Sequence, residues 1–529
     1  MPARCPSCGA LKAQDIEVPS QHFTKNLAPL LSGQRKELKA TLVHLWQDIA
    51  DVELNISLLE EAVHSLIRKR DLLTNYAEIH APLLQPVMCC PPEVLSEIFL
   101  WEARSVDWQS EMQEYRQAVI LPGQVCMQWR QVAFSTAELW ARLSCRLKSE
   151  EGGNNLVSMV QAWLKQSNLS PLALYFRLSG RPWGRSHPVI ELAMQHSQRW
   201  KWVRFEISLP MARSLEIVRG RVPMLEVLDL QGGFRGLDQG HAPLAAFKVA
   251  PMLHTVKIRT GISMSNILVP WIQLTNLSMG HGDRNAIIHA LSLCPNLLSF
   301  EASFEKQLDT RETLHSPVVH PHLLTFQLYS DLSPSPVLDQ ITLPNLTHFD
   351  YIHDFGEEDG AASQSALFAL SSLLKRSNCV LQRLCLDFHK MDLHDTELIA
   401  CLSLTPGLIE LELPFPCSAA SMTPASLQYL TFDPNSSQKA LLPLLQVLHL
   451  DYHPNIDLEI LLNMIQSRRS GIMETPDNRT QELLRVELVG EITEQLVKRQ
   501  FMWRVYEMRD AGLEVFTTDG WHNRQVLPF

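Results

Sequence analysis

Apolar residues recur along this chain with three different periods, and each period predicts a different kind of element. Between positions 38 and 73 they fall alternately four and three residues apart, at Leu38, Leu42, Leu45, Ile49, Val52, Ile56, Leu59, Val63, Leu66 and Leu73, with Arg70 interrupting the seam. This is a heptad pattern, and it predicts one long helix. With Leu42, Ile49, Ile56 and Val63 at a positions, the d positions hold Leu38, Leu45, Val52, Leu59, Leu66 and Leu73. Mostly β-branched residues at a and mostly leucine at d favour a parallel two-stranded coil. A homodimer through residues 38–73 and packing of the helix against its own chain would each satisfy such a stripe.

The next apolar group is shorter. Val94, Leu95, Ile98 and Phe99 lie on one side of a helix that Pro92 would open at its first position, with Glu93 at the positive end of the dipole. A second stripe, Val125, Cys126, Trp129, Val132 and Ala133, repeats that geometry. Ser135 and Glu138 have capping-box spacing and predict a third helix carrying Leu139, Trp140 and Leu143. Three short helices of about 40 residues cannot bury that much apolar surface among themselves, so the excess predicts a docking surface.

Beyond residue 170 a six-residue pattern recurs, apolar at its first, fourth and sixth positions. Leu225, Leu228 and Leu230 are followed by Leu253, Val256 and Ile258, then by copies beginning at Leu297, Leu323, Leu346, Leu408 and Leu445, each with Pro two residues ahead. Weaker copies begin at Leu274, Leu381, Leu427 and Leu483. Successive first leucines are 18 to 38 residues apart, the spread of a leucine-rich repeat. Each copy predicts a short strand whose last two apolar positions point inward, and the proline suits an extended approach where no ladder N–H is needed. Between the strands, Ile287-Ile288-Ala290-Leu291, Leu367-Leu370-Leu373-Leu374 and Leu458-Leu461-Leu462-Ile465 have helical spacing. Strand and helix would stack as an irregular right-handed solenoid without the asparagine ladder of regular repeats. Residues such as Glu226, Asp229, Lys257, Arg259, Gln327, Asp350 and His449 are expected on its exposed strand face, a mixed pattern that selects no ligand class. Pro171–Leu178 and Trp202–Ile207 read as earlier strands, with Trp200 and Trp202 as cap packing.

The order Pro91-Pro92-Glu93-Val94-Leu95-x-x-Ile98-Phe99, a polar spacer, then Val125-Cys126-x-x-Trp129-Arg130-x-Val132-Ala133-x-Ser135-Thr136-x-x-Leu139-Trp140 resembles the F-box, most closely the expanded fungal F-box family. Cys90 stands where that family usually has leucine. The resemblance implies that residues 86–143 bind the Skp-family adaptor of an SCF-type cullin ubiquitin ligase. The positions it implicates are Pro91, Pro92, Val94, Leu95, Ile98, Phe99, Val125, Trp129 and Val132. A helical cap that binds nothing is the alternative reading of the same residues.

Composition narrows the possibilities further. A net charge of −11, from 57 acidic and 46 basic residues, disfavours a nucleic-acid partner, and Arg68-Lys69-Arg70 and Arg468-Arg469 read as solvated helix faces. The 11 scattered cysteines, Cys385 and Cys401 among them, fit buried reduced thiols. No signal-peptide core or membrane-length apolar run is present, so a cytoplasmic or nuclear protein is expected. Cys5 and Cys8 could supply two thiolates to zinc, but no second pair follows at a common spacing, so no metal or cofactor is expected. No phosphate-binding glycine motif, hydrolase elbow or zinc-protease spacing occurs, and His353-Asp354 and His394-Asp395 read as loop residues. An enzyme acting alone is therefore not expected.

The fold class expected is α plus α/β: a flexible tail (1–34), a coiled-coil-like helix (35–80), a three-helix F-box module (86–143), a linker or cap (144–210), irregular leucine-rich repeats (211–490) and a C-terminal cap (491–529). The function that follows is a non-catalytic target-recognition subunit, with a protein target on the repeats and cullin reached through the adaptor. A repeat scaffold dimerised by the coil and outside any ligase is the alternative. The polar interruption at Gly356-Glu357-Glu358-Asp359-Gly360 is a solvated spacer or a contact for a basic partner.

Overall fold

The computed structural model describes residues 32–84, 86–106, 112–147, 153–178, 187–206, 209–232, 242–259, 262–304, 317–330, 332–353, 360–388, 395–413, 423–432, 441–451, 457–470, 474–475, 478–479, 481–489, 499–518 and 524–526. The expected tail, Cys5, Cys8 and the acidic stretch 356–359 lie outside the described residues. Internal contacts divide the chain into Met1–Leu95 and Ser96–Phe529.

The first unit contains helix α1, Ser32–His80, 49 residues long and therefore about 74 Å at 1.5 Å per residue. It begins three residues before the expected boundary. From Ser32 to His80 the sequence has no proline and a single glycine, Gly33, and Pro82 follows its last residue, so nothing inside interrupts the hydrogen-bond ladder. Its seam is uncovered: Leu42, Ile49, Ile56 and Val63 at a, and Val52, Leu59, Leu66 and Leu73 at d, are all exposed. Leu38 and Leu45 are half-buried. Val43, Leu54, Leu58 and Leu72 expose apolar surface off the seam as well. Arg70 pairs with Asp71 of the same helix at 2.6 Å.

Helix α2, Pro92–Ser105, contains the boundary between the units. The second unit continues with α3, Met112–Ile120, α4, Pro122–Val125, and α5, Met127–Ser135. The second apolar stripe is thus divided between two helices. Cys126 is extended (φ −154°, ψ 174°), and its sulfur accepts the Trp129 N–H at 3.4 Å, capping α5. The capping box does not form. Ser135 is the last residue of α5, and its hydroxyl donates to the Val132 carbonyl at 3.0 Å, which leaves a single 3₁₀ turn, Ala137–Trp140, in place of a third helix. Leu143 belongs to a strand.

The rest of the unit is a mixed helical and parallel-sheet structure built on one 15-stranded sheet. In chain order its strands are β1 (Arg142–Leu147), β2 (Leu172–Leu178), β3 (Trp200–Glu206), β4 (Val227–Gln231), β5 (Thr255–Ile258), β6 (Asn276–Gly282), β7 (Ser299–Phe304), β8 (Thr325–Ser330), β9 (His348–His353), β10 (Arg383–Phe388), β11 (Glu410–Leu413), β12 (Val447–Asp451), β13 (Arg485–Val489), β14 (Glu514–Thr518) and β15 (Arg524–Val526). Spatial order equals chain order. Every neighbouring pair is parallel except β14 and β15, which are antiparallel. The sheet therefore starts before residue 144 and runs past residue 490, taking in the segments expected to be linker and cap.

The repeat pattern explains the register. Leu225, Leu253, Leu274, Leu297, Leu323, Leu346, Leu381, Leu408, Leu445 and Leu483, each two residues ahead of a strand, are fully or almost fully buried, and burying one leucine side chain contributes about 1.5–3 kcal/mol. One inward line runs in register from Val203 through Leu228, Val256, Leu277, Phe300, Phe326 and Phe349 to Leu384, Leu411, Leu448, Val486 and Val515. Within it the Phe300 and Phe326 rings stack with centroids 5.7 Å apart. The copy at Leu427 is a helix instead, Pro424–Leu430, whose Thr423 side chain caps the Ala425 and Ser426 N–H groups.

Connections between strands are uneven. Helices Arg284–Leu293, Gly360–Ser377 and Leu458–Ser470 fill some, whereas β5 and β6 are joined through 3₁₀ turns. In place of a regular asparagine ladder, scattered polar side chains satisfy carbonyls of the preceding connection. Asn296 donates to Ile272 at 2.8 Å and Asn345 to Pro321 at 2.7 Å. Arg376 donates to Leu338 at 2.6 Å and Ile341 at 2.7 Å, and Arg468 to Leu430 at 2.7 Å, Leu441 at 2.5 Å and Leu442 at 2.9 Å. Arg468 is consequently buried, not solvated as its charge run implied, and burial lowers its pKa to about 10. No helix among the described residues is long and apolar enough to cross a membrane.

Candidate docking helices and the polar face of the sheet

Helix α2 is apolar on two sides. Leu95, Phe99 and Ala103, spaced i, i+4 and i+8, are buried at 0%, 3% and 3% exposure. Val94, Ile98 and Trp101, spaced i, i+4 and i+7, are exposed at 47%, 43% and 70%. In the second unit the buried side packs: the Phe99 and Trp129 rings are 5.1 Å apart. The α5 region is fastened to the helix Gly153–Gln166 by Trp140, whose indole N–H donates to the Ala133 carbonyl at 2.9 Å and whose ring meets Trp163 edge-on at 4.7 Å. Tyr115 of α3 donates to the Leu139 carbonyl at 2.9 Å, and burial raises its phenol to about 12. Arg142 of β1 lies 4.6 Å over that ring and donates to the Val106 carbonyl at 2.8 Å.

The implicated positions therefore fall into two groups. Pro91, Pro92, Val94, Ile98 and Val125 are exposed, while Leu95, Phe99 and Val132 are core and Trp129 is half-buried. Only the exposed group can touch a partner without the module rearranging. Exposed apolar residues that escaped the sequence reading include Trp101, Met127 at 67% and Phe134 at 48%. Trp101 was legible as the i+7 member of the Val94–Ile98 row. Met127 and Phe134 were not, because the break at Cys126 changes which face they occupy.

The outward row of the sheet is polar, and much of it is covered. Asp229, Asp350 and His449, expected to be exposed, are 2%, 7% and 7% exposed, because adjacent strands lie only about 4.8 Å apart and long neighbours lie over short ones. Near one end, Arg204 contacts Glu206 at 2.8 Å and Asp229 at 3.7 Å, and Arg259 reaches Asp229 at 3.1 Å. Tyr175 donates to Glu206 at 2.5 Å.

Across β9 to β13 the balance becomes acidic. Arg383 contacts Glu412 at 2.7 Å and lies 3.9 Å from both Asp350 and Glu410. His449 Nδ1 is 3.1 Å from Glu412 and 3.7 Å from Glu487, and its Nε2 is 4.0 Å from Glu410. Burial pushes the Glu412 carboxyl up, but hydrogen bonds from His449 and Arg383 and the Arg383 charge outweigh it and hold the group at about 2. Asp350 goes the other way: burial raises it, against the Gln327 hydrogen bond and the Arg383 charge.

No protein-family model matches this chain, and no curated protein matches its sequence.

The remaining sequence candidates are structural. His353 ends β9 and is buried, and Asp395 begins a helix and accepts from the Thr423 and Ser426 hydroxyls; Asp354 and His394 lie outside the described residues. Trp200 is buried and donates to the Ala193 carbonyl at 3.2 Å. Cys385 and Cys401 are free buried thiols whose pKa values burial raises, Cys401 to about 11.

Proposed function

We propose that this chain is the target-recognition subunit of an SCF-type cullin ubiquitin ligase. Residues 86–143 act as its F-box, and the strands and helices that follow act as an irregular leucine-rich-repeat solenoid whose polar strand face receives a protein target. The supporting observation is the division of apolar residues in α2, α4 and α5. Leu95, Phe99 and Val132 build the interior, while Ile98, Trp101, Val125, Met127 and Phe134 remain exposed. An outer set of this size, on helices already anchored by an inner set, is what a permanent protein partner would cover. The chain itself supplies proximity and orientation, and associated subunits carry out transfer.

Capture of a co-expressed Skp-family adaptor tests the reading. Wild type retains the adaptor, and Ile98→Asp loses it, because a carboxylate forced into an apolar interface costs several kcal/mol. Undiminished capture by Ile98→Asp would falsify the assignment.

A homodimer through residues 38–73 is favoured by a separate observation, the exposure of the a and d positions along α1. Dimerisation is compatible with the ligase reading and is also all that a repeat scaffold outside the ligase requires. Adaptor capture separates these two.

A further inference from the structure

We propose that Glu410 and His449, on β11 and β12, with Glu412 orienting the imidazole, form a binding site for a divalent cation of the zinc class. This inference uses only the polar face of the sheet and is independent of the adaptor reading. One potential ligand atom from each of the three residues lies within 4.8 Å of the others.

The histidine gives the cluster its direction. The His449 side chain is 9% exposed. Its Nδ1 faces Glu412 Oε1 at 3.1 Å, a contact in which Nδ1–H donates and which leaves Nε2 as the nitrogen a metal ion would take. Nε2 is buried and has no hydrogen-bond partner. It lies 4.0 Å from Glu410 Oε1, and two bonds of ~2.0–2.1 Å at a tetrahedral angle would set that separation at about 3.4 Å. The partly exposed Glu410 side chain closes the difference of about half an ångström when an ion binds. A carboxylate on the far ring nitrogen is the usual means of orienting a metal-binding histidine.

The charge balance points the same way. Three carboxylates, Glu410, Glu412 and Glu487, surround the imidazole, and Arg383 is the cation on Glu412. Carboxylates crowd the ring, and an acidic surround favours a bound cation. Arg383 holds Glu412 Oε2 at 2.7 Å and leaves Oε1 directed at the imidazole. Imidazole with carboxylates suits zinc and its neighbours better than calcium or magnesium, which take oxygen ligands. With so few protein ligands the ion keeps open positions.

The test uses the full-length chain carrying Cys5→Ser and Cys8→Ser, so that this thiol pair contributes no binding, stripped with a chelator and titrated calorimetrically with zinc sulfate. One zinc ion per chain is expected. Glu410→Gln and His449→Gln each weaken binding at least tenfold, and Glu412→Gln, which acts mainly on the imidazole, about tenfold. Cobalt in place of zinc gives a visible absorption band that His449→Gln abolishes. Glu410 is the most exposed of the three, so Glu410→Gln remains decisive if a His449 variant fails to fold. Absence of zinc uptake overturns the proposal, as does uptake unchanged in both Glu410→Gln and His449→Gln. Binding of a lysine-rich peptide that depends on Glu410 and Glu412, with no zinc uptake, also overturns it and reassigns the carboxylates to a basic partner.

Discussion

Arg383 and Glu412 meet across β10 and β11 with a 2.7 Å contact between guanidinium and carboxylate, and that contact makes part of the sheet's stability dependent on pH. Glu412 titrates at about 2, below its ordinary 4.5. A depressed carboxylate contributes stability that is complete above its unfolded value and lost as pH falls toward its folded one. The window is therefore about pH 4.5 down to 2. Replacing Arg383 by Met should cost on the order of 2 kcal/mol at neutral pH, with allowance for the guanidinium's partial exposure. The difference in thermal midpoint between variant and wild type should narrow as pH falls through that window. A difference independent of pH would show that the pair does not hold Glu412 down.

Two alanine substitutions in α2 should separate folding from docking. Phe99→Ala removes a buried ring and should lower stability by about 3–5 kcal/mol, reported by urea unfolding. Trp101→Ala, on the exposed row, should leave the unfolding midpoint nearly unchanged and reduce adaptor capture severely, since exposed tryptophans at interfaces are frequent hot spots. Equal effects of both on stability would place Trp101 in the core.

For α1 the prediction concerns mass in solution. Light scattering on the full chain should give a dimer, and the double change Ile49→Asp and Ile56→Asp should give a monomer with helical content little altered. Charges at two a positions oppose each other across a parallel seam. A wild-type monomer would remove the seam from the account.

Arg468 offers a stability test remote from any docking surface. Its guanidinium satisfies carbonyls of Leu430, Leu441 and Leu442. Arg468→Met keeps much of the volume and takes the guanidinium from the Leu430 and Leu441 carbonyls, at about 1–3 kcal/mol for each buried group left unpaired, while the Leu442 carbonyl keeps the Leu445 N–H at 3.3 Å. Arg468→Lys should recover part of the loss, since one ammonium cannot match the planar fork. Both are measurable by chemical unfolding.

Much of the sheet was legible because one physical demand repeats: Leu253, Leu297 and Leu323 each follow a proline by two residues and must reach the core before a strand begins. The strands Arg142–Leu147 and Glu514–Thr518 carry no such proline, and their short apolar runs are ambiguous between helix and strand. Leu427 satisfied the spacing but sits in a helix, and the decisive signal was Thr423-Pro424, an N-cap followed by a first-position proline. Within the docking module the apolar residues were identifiable, but their division into inner and outer faces was not. Leu95 and Val94 are adjacent in sequence and opposite in exposure, which depends on tertiary packing. On the polar face the carboxylates could be read individually. Their convergence on His449 depends on inter-strand register, which emerges only when the copies at Leu408, Leu445 and Leu483 are aligned with one another.

Because consecutive strands are also spatial neighbours, β3 through β13 are each held laterally by the strand before and the strand after. A chain built this way and pulled from its two ends would not rupture in one event. It would peel strand by strand in a saw-tooth of force peaks. With the first leucines of successive strands 21 to 38 residues apart, successive peaks would lengthen the tether by roughly 70–130 Å at full extension.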